Sequence, residues 1–248
     1  MNPLVAVTLA ALFSALAWRV RWLTGGGATA GTLVASLVFT GSGFSGAILL
    51  TLFFVSGSLL TRGEASSRPR TATQVLANGL WAALGGLLAG AGLAPGWTVL
   101  AASLAAAQAD TWSSEIGTRW GGTPKMITSG KAVPRGTSGG ISALGTTGGV
   151  AGAFVMAGSF LALGGRAPQA AAALVGGVGG MFADSLLGAT VQGRYHCDAC
   201  GLDTENRVHR CGASARLTGG RRWIDNDAVN FLATGAGALA ALALSGLA

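Results

Sequence analysis

Pro168–Gly188 reads PQAAAALVGGVGGMFADSLLG, a run with a single ionisable side chain, Asp184, set near its end. A helix needs about 20 predominantly apolar residues to cross the hydrocarbon core of a bilayer, and this stretch supplies them. Its small residues, densest at Gly176–Gly180, let helices approach closely in lipid, where packing contacts replace the hydrophobic drive. The same texture fills the chain. Apolar, nearly charge-free runs lie at 3–18, 25–40, 44–61, 72–92, 97–110, 138–163, 168–188 and 228–247. They predict an all-α polytopic transmembrane helical bundle of about eight spans, a single integral membrane domain over 1–248 with a small cytoplasmic Cys/His loop at 189–226. The runs at 3–18, 25–40 and 97–110 are short enough to be tilted, re-entrant or interfacial, which leaves seven as the other count.

Composition points the same way. Half of the 248 residues are hydrophobic, only 10% are charged and 42 are glycine, whereas about a quarter of a soluble domain is charged. An ordinary cytosolic enzyme and a disordered chain are both excluded. The glycines follow no regular period, so the chain is not collagen-like. Sixteen Lys and Arg against nine Asp and Glu leave a net charge of +7. These cations sit in short polar stretches between apolar runs, so no nucleic-acid polymer is expected as a partner.

Lys and Arg accumulate in cytoplasmic loops. With eight spans, fifteen of the sixteen cations fall on one side and only Arg166 on the other. That side is therefore predicted to be cytoplasmic, with both termini outside the inner or plasma membrane of the cell. All nine acids fall at or near the same face, so chemistry is expected there. The opening Met1–Trp18 has its cations, Arg19 and Arg21, after the apolar stretch, the reverse of a cleaved secretory signal, and reads as the first span.

Ionisable groups at the edge of a span are costly and mark functional sites. Asp110 in Ala109-Asp-Thr-Trp-Ser-Ser-Glu115 and Asp184 in Ala183-Asp-Ser-Leu-Leu-Gly188 share an Ala-Asp-hydroxyl start, too short to prove an internal repeat. Asp110 and Glu115 are five residues apart and diverge by about 140° on a helix. A metal held by both needs the helix to end between them. Otherwise Asp110 meets Asp184 and Glu115 serves a different partner, or each acid pairs with an interfacial arginine.

Three cationic stretches accompany the acids. In the first, Lys125, Lys131 and Arg135 precede Gly136-Thr137-Ser138-Gly139-Gly140, where glycine-freed N–H groups at a helix N-terminus and two hydroxyls would suit a phosphate. The GxxxxGK[ST] spacing of a Walker loop is absent, and a flexible connector with positive-inside cations has a similar composition. The second places Arg68 and Arg70 ahead of Gln74 and Asn78, an i, i+4 amide pair; topology alone also accounts for the arginines. The third, Asp225-Asn226-Asp227-Ala-Val-Asn230, carries a polar stripe into the last span, and an N-cap explains one of its members.

All three cysteines lie in one loop, as Cys197-x-x-Cys200 and then His209-x-Cys211. Three thiolates and an imidazole suit a tetrahedral structural zinc; the other reading is free thiols. A reducing cytoplasm argues against a disulfide.

These residues carry a family resemblance. Thr61-Arg62, Gln74-Val-Leu-Ala-Asn78-Gly79, Ala109-Asp-Thr-Trp-Ser-Ser-Glu115, Gly136-Thr-Ser-Gly-Gly-Ile-Ser142, Asp184-Ser-Leu-Leu-Gly-Ala-Thr-Val-Gln192, the Cys/His loop and Asp225-Asn-Asp-Ala-Val-Asn230 resemble, in order, the membrane family typified by phytyl-phosphate kinase and transmembrane protein 19. The resemblance implies phosphorylation of an isoprenyl monophosphate by a nucleoside triphosphate, with CTP the expected donor. On that reading Asp110, Glu115 and Asp184 hold Mg²⁺ with Asp227 as a further ligand. Lys125, Lys131, Arg135 and the Gly136–Gly140 loop cradle the triphosphate, while Arg68 and Arg70 meet the acceptor phosphate, with Gln74, Asn78, Gln192, Asn226 and Asn230 completing the site. The bilayer, the isoprenyl phosphate and the nucleotide are the expected partners. A cytidylyltransferase making a CDP-lipid, and a lipid or small-molecule transporter, use the same parts differently.

Overall fold

The computed structural model describes residues 2–61 and 68–246; Arg62, Glu64 and Ser67 lie outside the described residues. Seven helices carry the architecture: α1 (Pro3–Arg19), α2 (Gly25–Thr61), α3 (Ala72–Gly90), α4 (Pro95–Trp120), α5 (Ala143–Ala162), α6 (Ala167–Thr190) and α7 (Asn226–Ser245). Their starts follow local chemistry. Thr71 and Gln74 form a reciprocal capping box on α3, Ser142 caps α5 through Gly145 N–H, and Asp225 caps α7 through Ala228 N–H. Prolines open α1, α4 and α6, where the missing N–H costs nothing.

Five of these helices, α2, α3, α5, α6 and α7, are long and apolar enough to cross a membrane. The eight spans expected from the sequence are more than this. The two runs at 25–40 and 44–61 are the two helical arms of α2, joined at Gly43, whose backbone (φ 62°, ψ −153°) is non-helical. Gly27 near the start of α2 and Gly57 near its end both lie against Arg70, so the chain doubles back at that glycine. The run at 97–110 continues to Trp120, since no residue from Thr111 onward breaks the helix.

α4 is the centre of the bundle. It packs against α2, α3, α5, α6 and α7, and everything from Thr98 to Ala109 is buried. Alanines dominate that run because five neighbours leave no room for more. Leu100 and Leu104 fill the remaining space with Leu49, Phe53, Met156 and Phe160. By contrast, Leu4, Leu12, Phe44, Phe154 and Leu239 are exposed on the outer faces, where a bilayer would cover them.

The expectation of an all-α chain is corrected in two places. The connection into α5 pairs β1 (Lys125–Met126) with β2 (Gly140–Ile141), so the helix starts at Ala143 rather than near 138. The Cys/His loop folds as a three-stranded antiparallel sheet, β3 (Arg194–Cys197), β4 (Leu202–Thr204) and β5 (Arg216–Gly219), in the order β4-β3-β5. Alternation gives it away in β3: Tyr195 and Cys197 are buried while Arg194 faces out. His196 pairs across to Asp203 at 2.7 Å.

Candidate functional site

The C-terminal ends of α2, α4 and α6 and the N-terminal ends of α3, α5 and α7 meet around a cavity of about 760 Å³. Three helix N-termini there place partial positive charge beside the opening, which favours an anionic ligand. Of the residues singled out in the sequence, Arg68, Arg70, Gln74, Asn78, Asp110, Glu115, Arg135, Gly136, Thr137, Ser138, Gly139, Gly140, Asp184, His209, Asn226 and Asn230 line it. Segments from six parts of the chain thus converge on one space.

The two aspartates face the cavity from neighbouring helices, Asp110 on α4 and Asp184 on α6. Asp184 Oδ2 is buried without a hydrogen-bond partner. Asp110 and Glu205 lie near enough for their charges to act on Asp184, and among the described residues neither aspartate is ion-paired with an arginine or lysine. Such crowding of carboxylates calls for a cation. Mg²⁺ is commonly bound through one or two carboxylates plus substrate phosphates, so Asp110 and Asp184 fit it.

Glu115 lines the same cavity from another face of α4. Because α4 runs unbroken to Trp120, Glu115 turns away from Asp110 and accepts a hydrogen bond from Thr61 Oγ1 at 2.7 Å. It also attracts the Arg70 guanidinium, whose burial pulls its pKa below the usual arginine value while Glu115 acts in the opposite direction. Arg70 lies over the rings of Phe53 and Phe54 at 5.7 and 5.4 Å, a cation–π seat with an anion beside it.

The glycine loop is an anion site already engaged. Ser138 donates both its backbone N–H, at 3.1 Å, and its hydroxyl to Glu205 Oε1. Thr137 N–H and hydroxyl turn back to Pro134 O, and Gly140 N–H to Thr137 O. The expected cradle is therefore not an open nest at the helix start, since α5 begins at Ala143 with its own cap. Lys125, Lys131, Gln192 and Asp227 do not line the cavity. Both lysines are exposed on the β1 side of the connection, and Arg135 reaches only Gly122 O, at 2.9 Å. Gln192 is buried and donates to Glu205 Oε2 at 3.3 Å. Asp227 is half-buried in the first turn of α7.

Gln74 serves the capping box, accepting from Thr71 N–H at 3.0 Å, and Asn78 Nδ2 donates to Gln74 O at 3.0 Å. Both also border a second space of about 720 Å³, almost wholly apolar, between α1, the two arms of α2 and α3. Phe53, Arg70, Gln74 and Asn78 are common to the two walls. Sequence reasoning missed Glu205, Asn206 and Arg210, which the sheet brings to the polar cavity. The available signal was their place in the Cys/His loop, Glu205 and Asn206 between the two metal-ligand-like pairs and Arg210 inside the second.

Comparison with known proteins adds relationships. Residues 8–238 match the family described as Integral membrane protein DUF92. The chain is 32% identical to an uncharacterized membrane protein of Methanocaldococcus jannaschii, over 75% of this chain and 81% of that protein. It is 28% identical to Protein PGR of Arabidopsis thaliana, over 92% and 90% of the two chains. It is 27% identical to the chloroplastic protein VTE6 of the same plant, over 90% of this chain and 65% of the relative. No solved structure gives a significant match.

Proposed function

From the premise that the chain belongs to the DUF92 integral membrane family, we propose that it is a membrane-embedded isoprenyl-phosphate kinase, moving a phosphoryl group from a nucleoside triphosphate, with CTP the expected donor, to a prenyl monophosphate. The observation that carries this reading is the shared wall between the polar and apolar cavities. An amphiphile laid across it would put its tail in the groove of α1, α2 and α3 and its phosphate against Arg70 and Asn78. Arg70 makes that junction selective for an anion, because among the described residues nothing else in the groove carries charge.

The chemistry follows from positioning. An oxygen of the prenyl phosphate forms a bond to the γ-phosphorus, the bridging bond to the β-phosphate breaks, and the nucleoside diphosphate leaves with the electron pair. A phosphate monoester has a second pKa of about 6, so the attacking oxygen is already deprotonated at neutral pH and no general base is required. What the site must supply is alignment and charge neutralisation. Asp110 and Asp184 would hold Mg²⁺, which supplies neutralisation of the transferring phosphates when bound. Arg135 and Arg210 stand at the rim for the donor, and the three helix N-termini contribute fixed dipoles. We further propose that each arm of α2, together with α1 and α4, makes a pass, giving eight, with this end of the bundle on the cytoplasmic side of the cell membrane.

The test is transfer by purified protein in detergent with Mg²⁺, prenyl monophosphates of several lengths, and CTP labelled at either the alpha or the gamma position. Gamma label arriving in the lipid is expected. Alpha label in the lipid with release of pyrophosphate would replace the kinase with a cytidylyltransferase. Absence of any transfer by folded protein, with nucleotide-independent counterflow in liposomes, would replace it with a transporter.

A further inference from the structure

We infer that Cys197, Cys200, His209 and Cys211 hold a structural zinc ion that pins the three-stranded sheet over the polar cavity. The inference does not depend on the activity proposed above. Among the described residues these four form the one group of three or more ligating side chains drawn together, with all four ligand atoms within 4.8 Å of one another. Cys197 Sγ lies 3.7 Å from Cys211 Sγ, and His209 Nδ1 lies 3.2 Å from Cys211 Sγ. Tetrahedral zinc with Zn–S bonds of about 2.3 Å places its sulfurs about 3.8 Å apart, whereas a disulfide would bring them to about 2.05 Å. The observed separation is that of two ligands on one metal.

The backbone is shaped for it. Cys197 O accepts from Cys200 N–H at 3.2 Å and Gly201 N–H at 2.8 Å, a tight turn that sets both sulfurs on one side. His209 O accepts from Gly212 N–H at 2.9 Å, and His209 N–H bonds to Ala213 O at 2.9 Å, so the second pair sits on a matching turn. Each turn ends in a glycine of positive φ, +66° at Gly201 and +86° at Gly212, directly after its last cysteine. Two ligand pairs on two such turns leave no fifth position, which makes the site structural.

The sheet has need of a clamp. Its strands are four, three and four residues long, and within them only Tyr195 and Cys197 are buried. A module this small lacks the apolar burial to hold itself together, and metal binding is the usual remedy. What the clamp secures is plain from the connectivity. The segment between the ligand pairs delivers Glu205 to Ser138, and Arg210, between His209 and Cys211, lines the cavity. With His209 itself on the cavity wall, the ion would sit at the cavity's edge and fix the piece of chain that carries Glu205 and Arg210 to it.

The experiment is metal analysis of the full-length protein purified in detergent without chelators, followed by cobalt replacement. About one zinc per chain is expected, as are the intense visible and thiolate-to-metal bands of tetrahedral cobalt on thiolates. Removing the metal should increase tryptic cleavage at Arg207 and Arg210. The Cys197→Ser and Cys200→Ser variants should lose at least about tenfold in retained zinc. Should those variants fail to fold, the wild-type metal content and cobalt spectrum still decide. Folded wild-type protein without stoichiometric metal, with iron instead, with an octahedral cobalt spectrum or with a Cys197–Cys211 disulfide would overturn the assignment.

Discussion

Asp184 is the side chain on which the proposed chemistry turns, since its buried Oδ2 has no partner and two other carboxylates press on it. Asp184→Asn keeps the shape and removes the charge. If the carboxylate exists to hold a cation against phosphate, kcat falls by about 100-fold or more, while the melting temperature stays level because the amide fills the same space and breaks no ion pair among the described residues. Steady-state rates and a thermal melt on the same sample check both; wild-type turnover would sink the assignment. Within the cysteine cluster, His209 pulls the Cys211 thiol down to about 6, whereas the bond to Cys211 pushes Cys200 up to about 11. In metal-stripped protein at pH 7, Cys211 should therefore alkylate at least about tenfold faster than Cys200. The depressed Cys211 value favours the folded state fully above the ordinary thiol range, and that contribution is lost as pH falls through about 6. Mass spectrometry of the labelled peptides settles it, and equal labelling would count against the His209 contact. Both aspartates were legible in the sequence because charge beside an apolar run is costly. Glu205 was not, because its partner Ser138 is 67 residues away and only the fold joins them.

Between helices, small residues decide what can touch. Gly176 on α6 and Gly237 on α7 meet backbone to backbone, and a Cβ on either would run into the other's carbonyl oxygen. Gly179, one turn further along α6, has open space where its Cβ would stand. Gly176→Val should accordingly destabilise by about 1–3 kcal/mol or more, whereas Gly179→Ala should be neutral or slightly stabilising through helix propensity. Unfolding in mixed detergent compares them; equal effects would mean that the α6–α7 contact does not have this geometry. The identity of most helices was legible from apolar length alone. Their ends were not. Gly43 reads like any other glycine in a Gly-Ser-rich passage, yet it is the single position where α2 reverses, and the ten residues after Asp110 look polar enough for a loop while forming helix. Polarity marks the edge of lipid, and a helix that leaves the lipid into a lined cavity need not stop there.

At the scale of the whole molecule, charge and function share one end. The cavity, the sheet and the β1–β2 connection all lie where α2, α4 and α6 finish, and that end carries every described cation except Arg166, which caps the start of α6 opposite. The proposed orientation puts the loaded end in the cytoplasm, on the ground that Lys and Arg resist translocation. A nucleotide donor requires the same orientation, since nucleoside triphosphates are made there. The two arguments are independent, so one experiment on orientation bears on both. Arg207 and Arg210 are exposed in the connection between β4 and β5 and offer trypsin a target. Intact right-side-out vesicles should be resistant at these sites, and inverted vesicles should be cut, with the fragments identified by mass spectrometry. Cleavage in the right-side-out preparation would put the cavity on the outer face. A cytoplasmic triphosphate donor would then be out of reach, and the kinase reading would fall with the topology.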